Sequence, residues 1–295
     1  MSESFATSTP QIEYALGHSP RELDRLSFQG SVFAPFTLQL FMQAGVKPGM
    51  RVLDVGSGSG DVSFLAAELV GESGRILGVD RSAEAVDRAR ANAIRRNYSN
   101  VAFVVGDPAA MKFDKPFDAI IGRFVLMYQD DPVESLRKIT RHLRPGGLVV
   151  FQEVDTSACR SCPAVPAFDD AARWLREGLR ASGARTELGL EMHSLFLDSG
   201  LPAPGMRMDA VVSGEAQSPV YQLLAEGVRS LVPTLQKLNI ASATDVQIDS
   251  LADRLRAEVV ARRAVAMSYG LIGAWARKPT AHDIDTQSNS RMAKA

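Results

Sequence analysis

The sequence predicts an α/β protein built on a doubly wound, mostly parallel sheet, with a helical cap over the carboxyl edge of that sheet. Three observations predict it. Short β-rich apolar runs recur without alternation, amphipathic segments separate them, and a glycine-dense turn follows the first run. Non-alternating runs suit strands buried on both faces. Right-handed crossovers through the intervening helices wind such strands into one sheet.

The first run, Arg51–Val55, carries Asp54 near its end and leads through Gly56-Ser57-Gly58-Ser59-Gly60 into the helical pattern Asp61–Val70. A second run at Arg75–Val79 precedes a helix over Ser82–Arg96 with Ser82 as N-cap. Runs at Val101–Val105 and Asp118–Ile121 follow, then a helix over Pro132–Leu143 with Pro132 in its first turn. The turn Arg144-Pro145-Gly146-Gly147 ends that helix and starts a fifth strand at Leu148–Gln152. Beyond it the rhythm changes. Pro163–Ser182 is helical through Phe168, Ala171, Ala172, Leu175 and Leu179, and Glu187–Ser199 is helical too. A strand at Met206–Val212 precedes helices at Val220–Leu238 and Asp249–Arg263, the latter with Ser250 and Asp253 placed for capping. Ser268–Arg277 reads as the final strand, and a polar tail follows Pro279.

A strand, a glycine turn and a helix form a floor for a nucleoside-like ligand. A dinucleotide fingerprint places glycines at positions one, three and six, and Asp61 stands at the sixth. Glycines at 56, 58 and 60 are the pattern expected for S-adenosylmethionine, which has no pyrophosphate to seat on a helix N-terminus.

Composition narrows the partners. The 33 Lys and Arg residues nearly cancel 34 Asp and Glu, and no basic run stands out, so no nucleic-acid partner is expected. Without a spanning stretch of ~18 apolar residues or a basic-then-apolar leader, no membrane partner is expected and a cytoplasmic location is. Cys159 and Cys162 are the only cysteines, which excludes a disulfide framework. A zinc site needs about two more ligands. His18, His142, His193 and His282 show no paired spacing, so no metal is expected and the two thiols read as part of a lid segment.

VLDVGSGSG (52–60), LGVD (77–80), VVGD (104–107), FDAIIGRFVLMY (117–128) and LRPGGLVVFQEVD (143–155) together resemble the class I S-adenosylmethionine-dependent methyltransferases, in their small-molecule, ubiquinone-biosynthesis-like branch. The resemblance covers roughly residues 12 to 278. It implies a Rossmann-like methyltransferase fold with a seven-stranded sheet whose last strand is antiparallel. It also implies a division into an N-terminal helical cover (1–45), a cofactor-binding core (46–155), helical lid insertions (156–186 and 214–266), the rest of the sheet (187–213 and 267–278) and the tail (279–295). Both insertions leave or rejoin strands at the carboxyl edge and should enclose an apolar chamber.

The resemblance also assigns site residues. Asp54, Gly56, Ser57 and Gly58 meet the methionine part and the ribose of the cofactor. Asp80 accepts from the ribose hydroxyls, and Arg81 stacks on the adenine. Asp107 accepts from the adenine amino group, with Gly106 and Pro108 shaping its turn. Arg123 and Phe124 line the cleft, and Tyr14, Arg25 and Gln29 close it over the methionine carboxylate. The Asn/Asp-Pro-Pro-aromatic motif of base-modifying amino-methyltransferases does not occur at Gly122–Val125. Candidates for a general base are Glu153 and Asp155, expected to face the chamber, then His18 and His193. His142 is read as a cation at a helix C-terminus.

The expected reaction is methyl transfer from S-adenosylmethionine to a small apolar or aromatic metabolite, with the acceptor atom (O, N, S or C) and a homodimer left open. Two alternatives stand beside it: a relative that binds S-adenosylmethionine for pericyclic or hydroxylating chemistry without methyl transfer, and an NAD-dependent oxidoreductase.

Overall fold

The computed structural model describes residues 20–280 and residue 283, so Tyr14, His18, His282 and most of the polar tail lie outside the described residues. The elements run α1 (Pro20–Ala44), β1 (Arg51–Val55), α2 (Asp61–Val70), β2 (Arg75–Asp80), α3 (Ala83–Arg95), β3 (Val101–Val105), β4 (Phe117–Arg123), α4 (Pro132–Thr140) and β5 (Leu143–Asp155). Then come β6 (Arg160–Cys162), α5 (Pro166–Ala181), α6 (Leu188–Asp198), β7 (Gly205–Asp209), β8 (Val212–Ser213) and α7 (Val220–Lys237). The chain closes with α8 (Ala243–Val246), α9 (Leu251–Ala261), β9 (Val265–Met267) and β10 (Gly270–Arg277).

The main sheet has seven strands in the order β3-β2-β1-β4-β5-β10-β7. Strands β1 to β5 pair in parallel, and β10 runs antiparallel between β5 and β7. The strand order turns back between β1 and β4, which opens a crevice outside their carboxyl ends. Leu53, Ile120, Ile121 and Phe151 are fully buried on these central strands, which accounts for the absence of alternation in their sequences.

Local chemistry sets the helix starts. The Ser82 hydroxyl accepts from Ala85 N at 3.2 Å, as its sequence position predicts, and Asp131 caps the helix that Pro132 opens. Other expectations need correction. The helix from Pro132 ends at Thr140, and Leu143 already pairs with Phe117, so residues 144–147 bulge out of β5 rather than precede it. Gly146, at φ 71°, takes the left-handed turn that this bulge requires. The run Met206–Val212 splits, because β8 leaves the main sheet for a small second one ordered β6-β9-β8. The cysteine segment forms the edge strand of that second sheet, with Cys159 buried and Cys162 exposed. Ser250 does not cap α9. It lies in a 3-10 turn, and its hydroxyl reaches back to the Gln247 carbonyl.

The helices over the carboxyl edge meet through small residues. A Cβ on Gly178 of α5 would lie 3.1 Å from Leu231, and one on Gly227 of α7 would lie 3.0 Å from Leu175. Gly30 of α1 similarly lets that helix approach the start of α2, where a Cβ would meet the Asp61 carboxylate at 3.1 Å. The Ser230 hydroxyl of α7 donates to Glu22 of α1 at 2.7 Å. These contacts hold three helices around one cavity.

Candidate active site

A cavity of about 530 Å³ lies at the crevice between β1 and β4. Its floor is the glycine loop after β1, its sides are the loops after β2, β3 and β4, and its roof comes from α1, α5, α7 and Tyr269. Because β1 to β5 run the same way, their carboxyl ends deliver all these loops to one edge.

The glycine loop is fixed from below by backbone bonds. Gly56 N and Ser57 N donate to the Val79 carbonyl at 2.9 and 3.1 Å, and Gly58 N donates to the Asp80 carboxylate at 2.8 Å. Gly56 and Gly58 hold φ of 64° and 51°, the left-handed region that favours glycine. A Cβ on Gly58 would meet no atom within 4 Å, so that position opens on the cavity. The Ser57 hydroxyl is buried beside the cavity without a hydrogen-bond partner among the described residues.

Asp80 is held by two backbone groups, Gly58 N on one oxygen and Ser82 N on the other at 2.9 Å. Asp107 accepts from Ala109 N at 2.9 Å and from Arg81 at 2.9 Å. The structure therefore brings Gly56, Ser57, Gly58, Asp80, Arg81, Gly106, Asp107, Pro108, Arg123, Phe124, Arg25 and Gln29 to one cavity. Arg25 arrives already engaged, with bonds of 2.6 to 2.9 Å to Glu22. Gln29 donates to the Tyr269 phenol at 2.6 Å.

Asp54 is the exception among the predicted cofactor residues. It lies beneath the floor rather than along it, because its carboxylate turns into the sheet–α2 interface and accepts from the Ser63 hydroxyl at 2.6 Å. Burial pushes its pKa up to about 7, against the pull of Ser63 and Arg123.

The base candidates are placed elsewhere. Glu153 is fully buried and does not line the cavity. Its carboxylate accepts backbone N–H groups from Val125 at 3.0 Å, Leu126 at 2.8 Å and Met127 at 3.4 Å, so it anchors the loop after β4. Burial nevertheless raises its pKa to about 7, outweighing the three amides. Asp155 is consumed at the start of a 3-10 turn, accepting from Ser157 N and Ser157 Oγ. His193 sits on the exposed face of α6, turned away from the sheet. His142 lies past the end of α4 with Nε2 3.0 Å from the Pro108 carbonyl, and burial lowers its pKa, so it is not the helix-end cation its sequence position suggests.

Several lining residues carry no motif. Asp61 at the start of α2 faces the cavity, and burial raises its pKa. Tyr269 lies between β9 and β10, and burial pushes its phenol up to about 12. Thr156, Leu175, Leu179 and Gly227 complete the roof. The acid of Asp61 was legible beside the glycines as the residue that breaks the dinucleotide spacing. Tyr269 and the roof residues had no local signal, since only the folded cap brings them to the β1 loop.

Charge distinguishes the possible ligands. Asp61, Asp80, Glu84 and Asp107 line the cavity against Arg25, Arg81 and Arg123, and Arg25 and Arg81 are each paired with an acid. A carboxylate also stands at the start of α2, where a pyrophosphate would need the helix dipole to itself. Such a site is better matched to a cationic nucleoside than to a dinucleotide.

A family profile described as a methyltransferase domain matches residues 46–187. That stretch, just under half of the chain, is a methyltransferase domain of the S-adenosylmethionine-dependent kind. Among curated methyltransferases, the chain is 31% identical over 142 residues to aklanonic acid methyltransferase DauC of Streptomyces sp. (strain C5), covering 48% of this chain and 64% of that protein. It is 40% identical over 114 residues to the arsenite methyltransferase of Aquipseudomonas alcaligenes, covering 36% of this chain and 33% of that protein. The match thus spans less than two thirds of either relative. In fold, the chain resembles phosphoethanolamine N-methyltransferase 2 of Haemonchus contortus solved with S-adenosylhomocysteine (TM-score 0.53, 18% identity, 83% of this chain and 53% of that one). It equally resembles the [4+2]-cyclase SpnF (TM-score 0.50, 21% identity, 84% and 82% coverage).

The cavity fits S-adenosylmethionine on its own features. Gly58 opens the floor where a side chain would protrude, and the buried Ser57 hydroxyl is left unpartnered beside it. The acid-rich wall complements a sulfonium. No helix among the described residues is long and apolar enough to cross a membrane.

Proposed function

We propose that this protein transfers the methyl group of S-adenosylmethionine to a small apolar or aromatic acceptor held under the α5–α7 roof. The observation that carries this reading is the division of one cavity into two unlike parts. The loops after β1, β2 and β3, with the helix starts that follow them, supply its acids and its floor glycines, whereas β5, α5 and α7 supply Val154, Leu175, Leu179 and Gly227.

When bound, the cofactor supplies an activated methyl group and its own leaving group. Asp80, Arg81 and Asp107 would hold its nucleoside part, and Ser57 and Gly58 would lie beneath it. The protein's contribution is then positioning and exclusion of water. Leu175, Leu179 and Val154 exclude water on the roof side, and Tyr269 keeps its proton, so it donates rather than abstracts.

Neither a histidine nor a carboxylate lines the β5–α5–α7 side among the described residues. That favours an acceptor that is nucleophilic without a resident base, such as a readily ionised phenol or enol. The likeness to the aklanonic acid enzyme agrees with a small organic acceptor. An arsenite acceptor is disfavoured. Soft metalloids call for thiolates, and neither cysteine lines the cavity; burial pushes the Cys159 thiol up to about 12.

The test is to incubate the protein with labelled S-adenosylmethionine and a panel of aromatic phenols and quinols, and to follow S-adenosylhomocysteine. Label transfer to a panel member supports the reading. The likeness to a [4+2]-cyclase motivates the second reading, in which the cofactor is bound and never consumed. Tight cofactor binding without turnover across the panel would favour that one. A cytoplasmic location and a small-molecule partner belong to the same proposal.

A further inference from the structure

Two opposite charges face this cavity without meeting each other. Asp61 and Arg123 both line it and each feels the other's field, yet no ion pair within 4 Å joins them. Their other commitments are slight. The Asp61 carboxylate accepts one long bond, 3.3 Å from the Ser59 hydroxyl, and Arg123 donates Nη1 to Thr37 at 3.0 Å. Both positions are imposed by the fold. Asp61 starts α2 directly after the floor glycines, with Gly30 of α1 in close approach behind it, and Arg123 ends β4 across the crevice. Burial disfavours both charges, raising the pKa of Asp61 and lowering that of Arg123.

A cavity that keeps an acid and a base partly desolvated and apart is complementary to a ligand bearing both charges on one carbon. The cofactor of the proposed reaction ends in such a group. We propose that Asp61 and Arg123 form a zwitterion clamp, Asp61 receiving the α-ammonium and Arg123 the α-carboxylate of the cofactor's amino-acid end. This displaces the expectation that Arg25 holds the carboxylate, since Glu22 already neutralises Arg25 in two-pronged fashion. The clamp also gives the residue that breaks the dinucleotide spacing a task of its own. The inference rests on the S-adenosylmethionine reading above and assigns a specific acid to it.

The experiment is calorimetric titration of the full chain and of its Asp61→Asn variant with two probes. S-adenosylhomocysteine carries the amino-acid end, and 5′-methylthioadenosine shares its nucleoside and lacks that end. The expected result is that the wild type prefers S-adenosylhomocysteine. Asp61→Asn should lose about tenfold or more on that probe while its affinity for 5′-methylthioadenosine stays within about twofold. An equal loss on both probes would mean that Asp61 only shapes the glycine loop, and it would overturn the clamp. So would an unchanged affinity for S-adenosylhomocysteine, or a wild type that binds the two probes equally. A wild type that binds neither would instead overturn the cofactor reading beneath it. Arg123→Gln, read with the same two probes, checks the other arm of the clamp in the same way.

Discussion

Gln29 of α1 donates a 2.6 Å hydrogen bond to the phenol of Tyr269, which stands just before β10. One bond therefore ties the helical cover to the last strand of the sheet at the rim of the cavity. Phe33, one turn further along α1, meets the same ring edge-on at a centroid distance of 5.5 Å.

Tyr269→Phe keeps the ring contact and removes the bond, so the loss of stability at neutral pH should be about 0.5–1.5 kcal/mol. The pH dependence has a definite sign. Burial raises the folded-state pKa from 10.0 to about 12. The buried neutral phenol thus contributes stability that is full below pH 10 and lost as pH rises through about 12. Urea midpoints between pH 9 and 12 should fall more steeply for the wild type than for Tyr269→Phe.

Glu153 should make the protein respond to acid in an unusual direction. Its folded-state pKa is raised from 4.5 to about 7, so its contribution is fully present below pH 4.5 and is lost as pH rises through about 7. The full effect is on the order of 3 kcal/mol. Glu153→Gln keeps a carbonyl oxygen for Val125 and Leu126 and cannot ionise, so its stability should vary less than the wild type's between pH 5 and pH 8. Glu153→Ala leaves three backbone donors without their acceptor and should cost about 3 kcal/mol or more at any pH in that range. A wild-type slope that Glu153→Gln leaves unchanged would count against this account.

The same residue marks how far the sequence was legible. The strands and the glycine loop could be read because their signals are local: an apolar run, a capping Ser82, glycines where φ turns positive. The placement of Asp80 and Asp107 followed from the same logic, since Asp80 ends β2 and Asp107 stands two residues past β3, both at the carboxyl edge of the sheet. Glu153 and Asp155 could not be read this way. Both close β5, which runs three residues beyond the Gln152 end that its apolar run suggests, and which neighbour claims each carboxylate depends on the loop after β4 and on the turn after β5. Asp54 was misplaced for a related reason, because Ser63 on α2 captures it from below. Tyr269 and Gly227 are distant in sequence from every motif, and only the packing of α1, α5 and α7 brings them to the cavity.

The floor glycines should separate binding from folding. Gly58→Ala adds a Cβ where no atom lies within 4 Å, so it intrudes on the cavity and not on the core. It also strains a φ of 51°, at a cost of roughly 1–2 kcal/mol. Gly60→Ala instead drives a Cβ to 2.8 Å from Phe103 and 2.9 Å from Phe64, inside a packed aromatic cluster. The expected outcome is that Gly58→Ala weakens S-adenosylhomocysteine binding at least tenfold with a small shift in melting temperature. Gly60→Ala should show the reverse emphasis, with a larger thermal shift.

The roof should separate acceptor from cofactor. Gly227 lines the cavity from α7, and a Cβ there would lie 3.0 Å from Leu175, which lines it from α5. Gly227→Val places branched carbons at this junction. The α5–α7 packing must then open slightly, costing about 1–3 kcal/mol, or the new methyls must enter the cavity. Either response alters the apolar side and leaves the glycine loop, Asp80 and Asp107 untouched. Gly227→Val is therefore expected to retain S-adenosylhomocysteine affinity within about threefold, while methyl transfer to the bulkiest accepted phenol falls more than transfer to the smallest. Calorimetry and a size-graded acceptor series measure the two quantities independently. A parallel loss of both would place the cofactor, rather than the acceptor, beneath α7.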